Sequence, residues 1–145
     1  MSFSTSLRIS GSALTAQRLR MDVIAGNVAN VETTRGEDGG PYRKREVVLQ
    51  NSPAAGTRFA GMGGNSQALS GGVRVAGIVE SDGVKLVSNP SHPDADENGF
   101  VAYPDIDIVD EMTNMMSAVR AYEASVTVAN SAKQMATKAL EIGRA

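Results

Sequence analysis

The chain has 145 residues, a formal net charge of −2, 41% hydrophobic and 4% aromatic residues, one histidine, and neither cysteine nor tryptophan. This balance gives no field that would gather nucleic acid or an anionic membrane, and the Cys and His counts remove disulfides, thiolate nucleophiles and His-pair metal motifs. Any core must come from Leu, Val, Ile, Met and Ala, and no apolar run approaches the ~20 residues that span a bilayer.

From Phe3 to Val31 the positions Phe3, Leu7, Ser10, Leu14, Gln17, Met21, Ile24, Val28 and Val31 advance by four and three residues in turn, and most are apolar. The spacing predicts a long amphipathic helix from Ser4 to Asn30, roughly 40 Å at 1.5 Å per residue, with Ser4 or Thr5 as N-cap. Polar residues recur through Met1 to Arg20, with arginines at Arg8, Arg18 and Arg20. No secretory h-region can be drawn there, so export, if it occurs, is expected without a cleaved signal. Asn27 and Asn30 share a helix face, and Asn30 with Thr33 and Thr34 favours an exit from helix. Gly26 costs the helix ~1 kcal/mol relative to Ala, which close approach of another backbone would explain.

Between about residues 36 and 104 the texture changes to short β-like pieces and glycine-rich connections. Glu46 to Leu49 reads as a strand. Val73, Val75, Gly77 and Val79 alternate with other residues, Asp82-Gly83 is a hairpin turn signal, and Val84 to Val87 would return as the partner strand. Asn51 to Gly72 is glycine-rich with few large apolar residues and reads as a long loop. Arg43-Lys44-Arg45 reads as a solvated strand end or a subunit salt bridge, and His92 as a hydrogen-bonding loop residue. Asp94, Asp96, Asn98, Gly99, Phe100 and Asp105 fit the spacing of a calcium loop, but Pro90 and Pro93 preclude its incoming helix and Asp105 is a short closing arm.

The last third carries the strictest pattern: Ile108, Met112, Met115, Val119, Tyr122, Val126, Ala129, Lys133, Ala136 and Leu140, with only Lys133 breaking the apolar seam. Pro104 and Asp105 precede it, acids at Asp107, Asp110 and Glu111 fill its first turn, and Gly143 stands where a C′ glycine belongs. The helix should run from Asp107 to Ile142, about 54 Å. The expected fold is therefore mainly α with a small β insertion: long N- and C-terminal helices pairing as a coiled coil around a β-rich middle region with long loops. Periodicity alone leaves open whether the two stripes pack within the chain or between copies. A seam of roughly 50 Å exceeds what a small middle region covers, which favours assembly.

The segment Asn27-Val28-Ala29-Asn30-Val31-Glu32-Thr33-Thr34-Arg35-Gly36 resembles the signature that ends the N-terminal helix in flagellar rod and hook proteins. Gly39 to Arg45, His92 to Val101, Tyr103-Pro104, Glu111-Met112, Asn114-Met115, Arg120 to Ala124 and Asn130 to Lys133 extend the resemblance to the proximal rod proteins of that family; it lapses from Asn51 to Gly72. The resemblance implies a structural subunit with no catalytic, cofactor or metal site. Residues 1–35 and 105–145 would form the rod core and residues 36–104 an outer β-rich part. It also implies helical self-association, contacts with other rod proteins and the rod-base adaptor FliE, passage through the flagellar type III export apparatus, and a periplasmic place in the basal body. The expected assembly interface comprises Leu7, Leu14, Met21, Ile24, Asn27, Val28, Asn30, Ile108, Met112, Met115, Val119, Tyr122, Val126, Ala129 and Leu140. A calcium-binding helical regulator and a soluble coiled-coil adaptor are the alternatives.

Overall fold

The computed structural model describes residues 3–36, 39–53 and 70–143. Helix α1 spans Phe3–Ala29 and helix α2 spans Ile108–Ile142. Between them lie β1 (Lys44–Pro53), β2 (Ser70–Ser81), β3 (Val84–Ser88) and β4 (Phe100–Pro104). The two helices pack on each other, and β1 and β2 lie against α1. The chain is thus mainly α with a small β region inserted between paired terminal helices.

Helix α1 already includes Ser4 and Thr5, so neither is its N-cap. It stops where Asn30 folds back, its Nδ2 donating to the Gly26 carbonyl at 2.8 Å, which satisfies one of the last-turn acceptors. Among the described residues Gly26 has no crowding neighbour: of these, an added Cβ would meet the Tyr42 hydroxyl at 3.8 Å. Helix α2 begins at Asp107, whose Oδ1 accepts from the backbone N–H of Val109 at 2.8 Å, with Asp110 and Glu111 in the first turn. At its other end Gly143 has φ −76°, a right-handed conformation, so the expected left-handed glycine cap does not form.

The α2 residues that are buried are Glu111, Ala118 and Ala132, with Ser125 half-buried at the same heptad position. They alternate with half-buried Met115, Tyr122, Ala129 and Ala136. Half of the expected seam is therefore in place, and the other half is displaced by one residue. Met112, Val119 and Lys133 are exposed while their neighbours Glu111, Ala118 and Ala132 face inward. The displacement has a steric cause, because small side chains let two helix backbones approach closely and large ones hold them apart. Lys133 accordingly breaks nothing, since Ala132 occupies the buried position.

The two sheets have two strands each, β1 with β2 and β3 with β4, both antiparallel. This corrects the expected β2–β3 hairpin. A two-residue type I′ turn needs positive φ at both central positions, and Gly83 is not among the glycines with positive φ. Asp82-Gly83 instead forms the corner between sheets, where Gly83 O accepts from Asp105 N at 3.2 Å and Asp82 pairs with Arg43 at 2.8 Å. Of the expected loop from Asn51 to Gly72, Asn51–Pro53 end β1 and Ser70–Gly72 begin β2; residues 54–69 lie outside the described residues. Gly72 has φ +126° and sits on α1, where a Cβ would collide with the Ser12 side chain, while Ser12 Oγ accepts from Val73 N at 3.1 Å. Only glycine suits both the dihedral and the close approach.

Candidate functional site

Where α1 ends, α2 begins and β1 starts, one side chain joins all three. Asn27 is 1% exposed. Its Nδ2 donates to the Arg45 carbonyl at 2.8 Å and to Glu111 Oε2 at 3.0 Å, and its Oδ1 accepts from Arg45 N at 2.9 Å and from the Tyr42 hydroxyl at 3.2 Å. Two donors and two acceptors are all that an asparagine side chain offers, and each is used. Tyr42 is held there by its N–H, which donates to the Thr33 carbonyl at 3.0 Å. The Arg45 guanidinium lies 5.8 Å from the centre of the Tyr42 ring.

Glu111 is 2% exposed and meets Lys44 at 3.0 Å through its other oxygen. A carboxylate so buried is tolerated only when both oxygens are partnered, and here they are, by an amide and an ammonium. The hydrogen bond to Glu111 raises the Lys44 pKa above its ordinary value, against a smaller opposing effect of burial. Beside the pair lies a cavity of about 40 Å³ bounded by Arg20, Ile24, Lys44, Val47, Glu111 and Asn114, where Arg20 Nη2 donates to Asn114 Oδ1 at 3.5 Å.

Every residue of the basic run is therefore used inside the chain: Arg43 on Asp82, Lys44 on Glu111, Arg45 on Glu80. The acidic loop is used likewise. Asp94 pairs with Arg35 at 2.6 Å and accepts from Thr34 Oγ1 at 2.9 Å, tying the β3–β4 loop to the exit of α1. Asp96 Oδ1 accepts from Asn98 N and Phe100 N, both at 2.9 Å. Among the described residues no group of three or more His, Cys, Asp or Glu could hold a metal ion. His92 Nδ1 accepts from Asp94 N at 3.1 Å, and its ring meets Tyr103 edge-on.

Of the residues expected at an assembly interface, Ile24 and Asn27 are buried within the chain. Leu14, Met21, Val28, Asn30, Met115, Tyr122, Val126 and Ala129 are half-buried, and Leu7, Ile108, Met112, Val119 and Leu140 are exposed. The exposed set continues through Val109, Met116, Val128, Met135 and Ile142, with Ile142 at 78%. Sequence reasoning missed the partners of Asn27. The available signal was Glu111, an acid at the heptad position otherwise held by Ala118, Ser125 and Ala132.

A family model described as flagella basal body rod protein matches residues 7–35, and one described as flagellar basal body rod FlgEFG protein C-terminal matches residues 97–142. Both helices thus fall in the class of flagellar basal-body rod proteins. Over nearly the whole chain the similarity is more specific. Flagellar basal-body rod protein FlgC of Escherichia coli O6:H1 is 45% identical over 137 residues, covering 94% of each chain, and that of Salmonella typhimurium gives the same figures. The FlgC of Bacillus subtilis is 43% identical over 148 residues, covering 96% of this chain and 97% of its own. The chain belongs to the FlgC family of flagellar basal-body rod proteins, structural subunits that associate with other rod proteins in the basal body. Neither the calcium regulator nor the unrelated adaptor finds support in these relatives.

Proposed function

We propose that the chain builds the proximal rod by helical polymerisation through its terminal helices. Residues 1–35 and 105–145 form the inner core that transmits torque and lines the export channel, and residues 36–104 lie outside. The observation that carries this reading is the row of large apolar side chains that α2 leaves in water, among them Val109 at 70% and Leu140 at 71% exposure. So many large apolar side chains left uncovered along one helix mark surfaces that other chains cover. A contact whose rotation does not close on itself repeats as a helix, and buried helical seams make that helix stiff.

Its neighbours in this reading are further copies, other rod proteins and FliE, and the chain reaches the periplasm through the type III apparatus with its N-terminus uncleaved. In this reading its role is structural, and the buried Glu111 serves to hold Lys44 and Asn27 in place. Mass spectrometry of isolated basal bodies tests the proposal. The chain should be found there with its first residues present apart from loss of Met1; absence from the rod fraction, or an N-terminus trimmed by about 15 or more residues, would overturn it.

A further inference from the structure

Arg45 offers both its N–H and its C=O to the amide of Asn27, at 2.9 and 2.8 Å. In an antiparallel ladder both groups of one residue point to the same side, so these belong to the open edge of β1, the side away from β2. Asn27 thereby stands in for one residue of a neighbouring strand. Its remaining amide hydrogen goes to Glu111 on α2, and the second oxygen of Glu111 goes to Lys44, the residue beside Arg45 on β1. The contacts close a circuit through α1, α2 and β1. Removing any one element leaves a group stranded: without α2 the amide lacks an acceptor, without β1 the Glu111 charge is buried with no cation, and without α1 the edge of β1 is unpaired.

We propose that this circuit is a conformational lock, in which Asn27 and Glu111 make the seating of the β1–β2 sheet conditional on the last turn of α1 meeting the first turn of α2. The last turns of α1, the first turns of α2 and the start of β1 open and close as one unit. The far end of α2 is outside it, since residues 137–142 are all exposed. The lock itself follows from the geometry, and its purpose rests on the proposed rod role: only a chain in which the end of α1 has met the start of α2 presents its sheet to the next subunit.

Hydrogen exchange followed by mass spectrometry on the full-length chain tests the lock without reference to rod assembly, so its failure is distinct from failure of the rod assignment. In the wild type, segments 20–29, 44–49 and 108–118 should exchange through a shared opening and 137–142 faster. Asn27→Ala should raise exchange in the three segments together, by about tenfold to a hundredfold, with 84–104 changing less. Tyr42→Phe, which removes one hydrogen bond from the same amide, should raise the three by one smaller common factor if Asn27→Ala fails to fold. The lock is overturned if the three segments open independently or lack protection in the wild type. A variant effect confined to 20–29, or an equal effect on 84–104, overturns it as well, the latter marking general loss of stability.

Discussion

Adjacent residues 118 and 119 should respond in opposite ways to substitution. Ala118 is 0% exposed in the contact between α1 and α2, whereas Val119 is 37% exposed on the outer face. Val119→Asp removes a side chain whose full burial would contribute ~1.5 kcal/mol, and about three-fifths of it is covered, so the isolated chain should lose only about 1 kcal/mol. Asp and Val have similar helix propensities, so the backbone adds little. In an assembled rod the same carboxylate would be buried without a partner, at a cost of several kcal/mol, and incorporation should fail. Ala118→Leu adds three carbons where two helices touch, and overpacking should cost the isolated chain about 1–3 kcal/mol. Urea denaturation followed by circular dichroism reads the first quantity; motility and the rod content of basal bodies in complemented cells read the second. Normal rod assembly by Val119→Asp would refute the assembly face, and an unperturbed Ala118→Leu would refute the inner seam.

Asn27→Ala should cost about 1.5–3 kcal/mol, because it strands both backbone groups of Arg45 and one oxygen of Glu111, while Asn30→Ala loses a single carbonyl cap at about 1 kcal/mol; denaturation midpoints distinguish them. Gly72→Ala should destabilise by at least about 2 kcal/mol through its positive φ and the Ser12 contact, whereas Gly77→Ala, with open space around it, should stay within about 0.5 kcal/mol. Lys44 binds its proton more tightly in the folded chain than its ordinary 10.5. Its contribution is therefore complete below that pH and lost as pH rises through the raised folded value. Stability measured from about pH 9.5 to 11.5 should fall more steeply for the wild type than for Glu111→Gln, which keeps an acceptor oxygen but lacks the carboxylate charge; equal slopes would contradict the assigned cause.

Both helices were legible from spacing alone because each carries a strict alternation of three and four over more than twenty residues. Which face turns inward was only half legible. A scale that rewards size picks Met112 and Val119, but the approach of two backbones selects Ala118 and Ala132 one residue earlier. The strand pairing was misread because Asp82-Gly83 is a strong local signal, and local sequence does not report that β1, far back in the chain, offers β2 a partner of similar length. The circuit at Asn27 was half visible. Asn27 stood out within its motif, but Glu111 looked like an ordinary first-turn acid, and nothing short of the fold places Lys44 beside it.

The strand-mimicking amide of Asn27 also bears on solubility. Among the described residues, two separate two-stranded sheets leave each strand one side that no other strand pairs, and such edges are templates on which foreign strands add and aggregates grow. At the start of β1 the pair of groups by which a stray strand would register is already taken by Asn27, and Lys44, Arg45 and Glu46 set charges along the same stretch. A protein that must accumulate as a building block without clumping beforehand gains protection there from a side chain that adds no strand of its own.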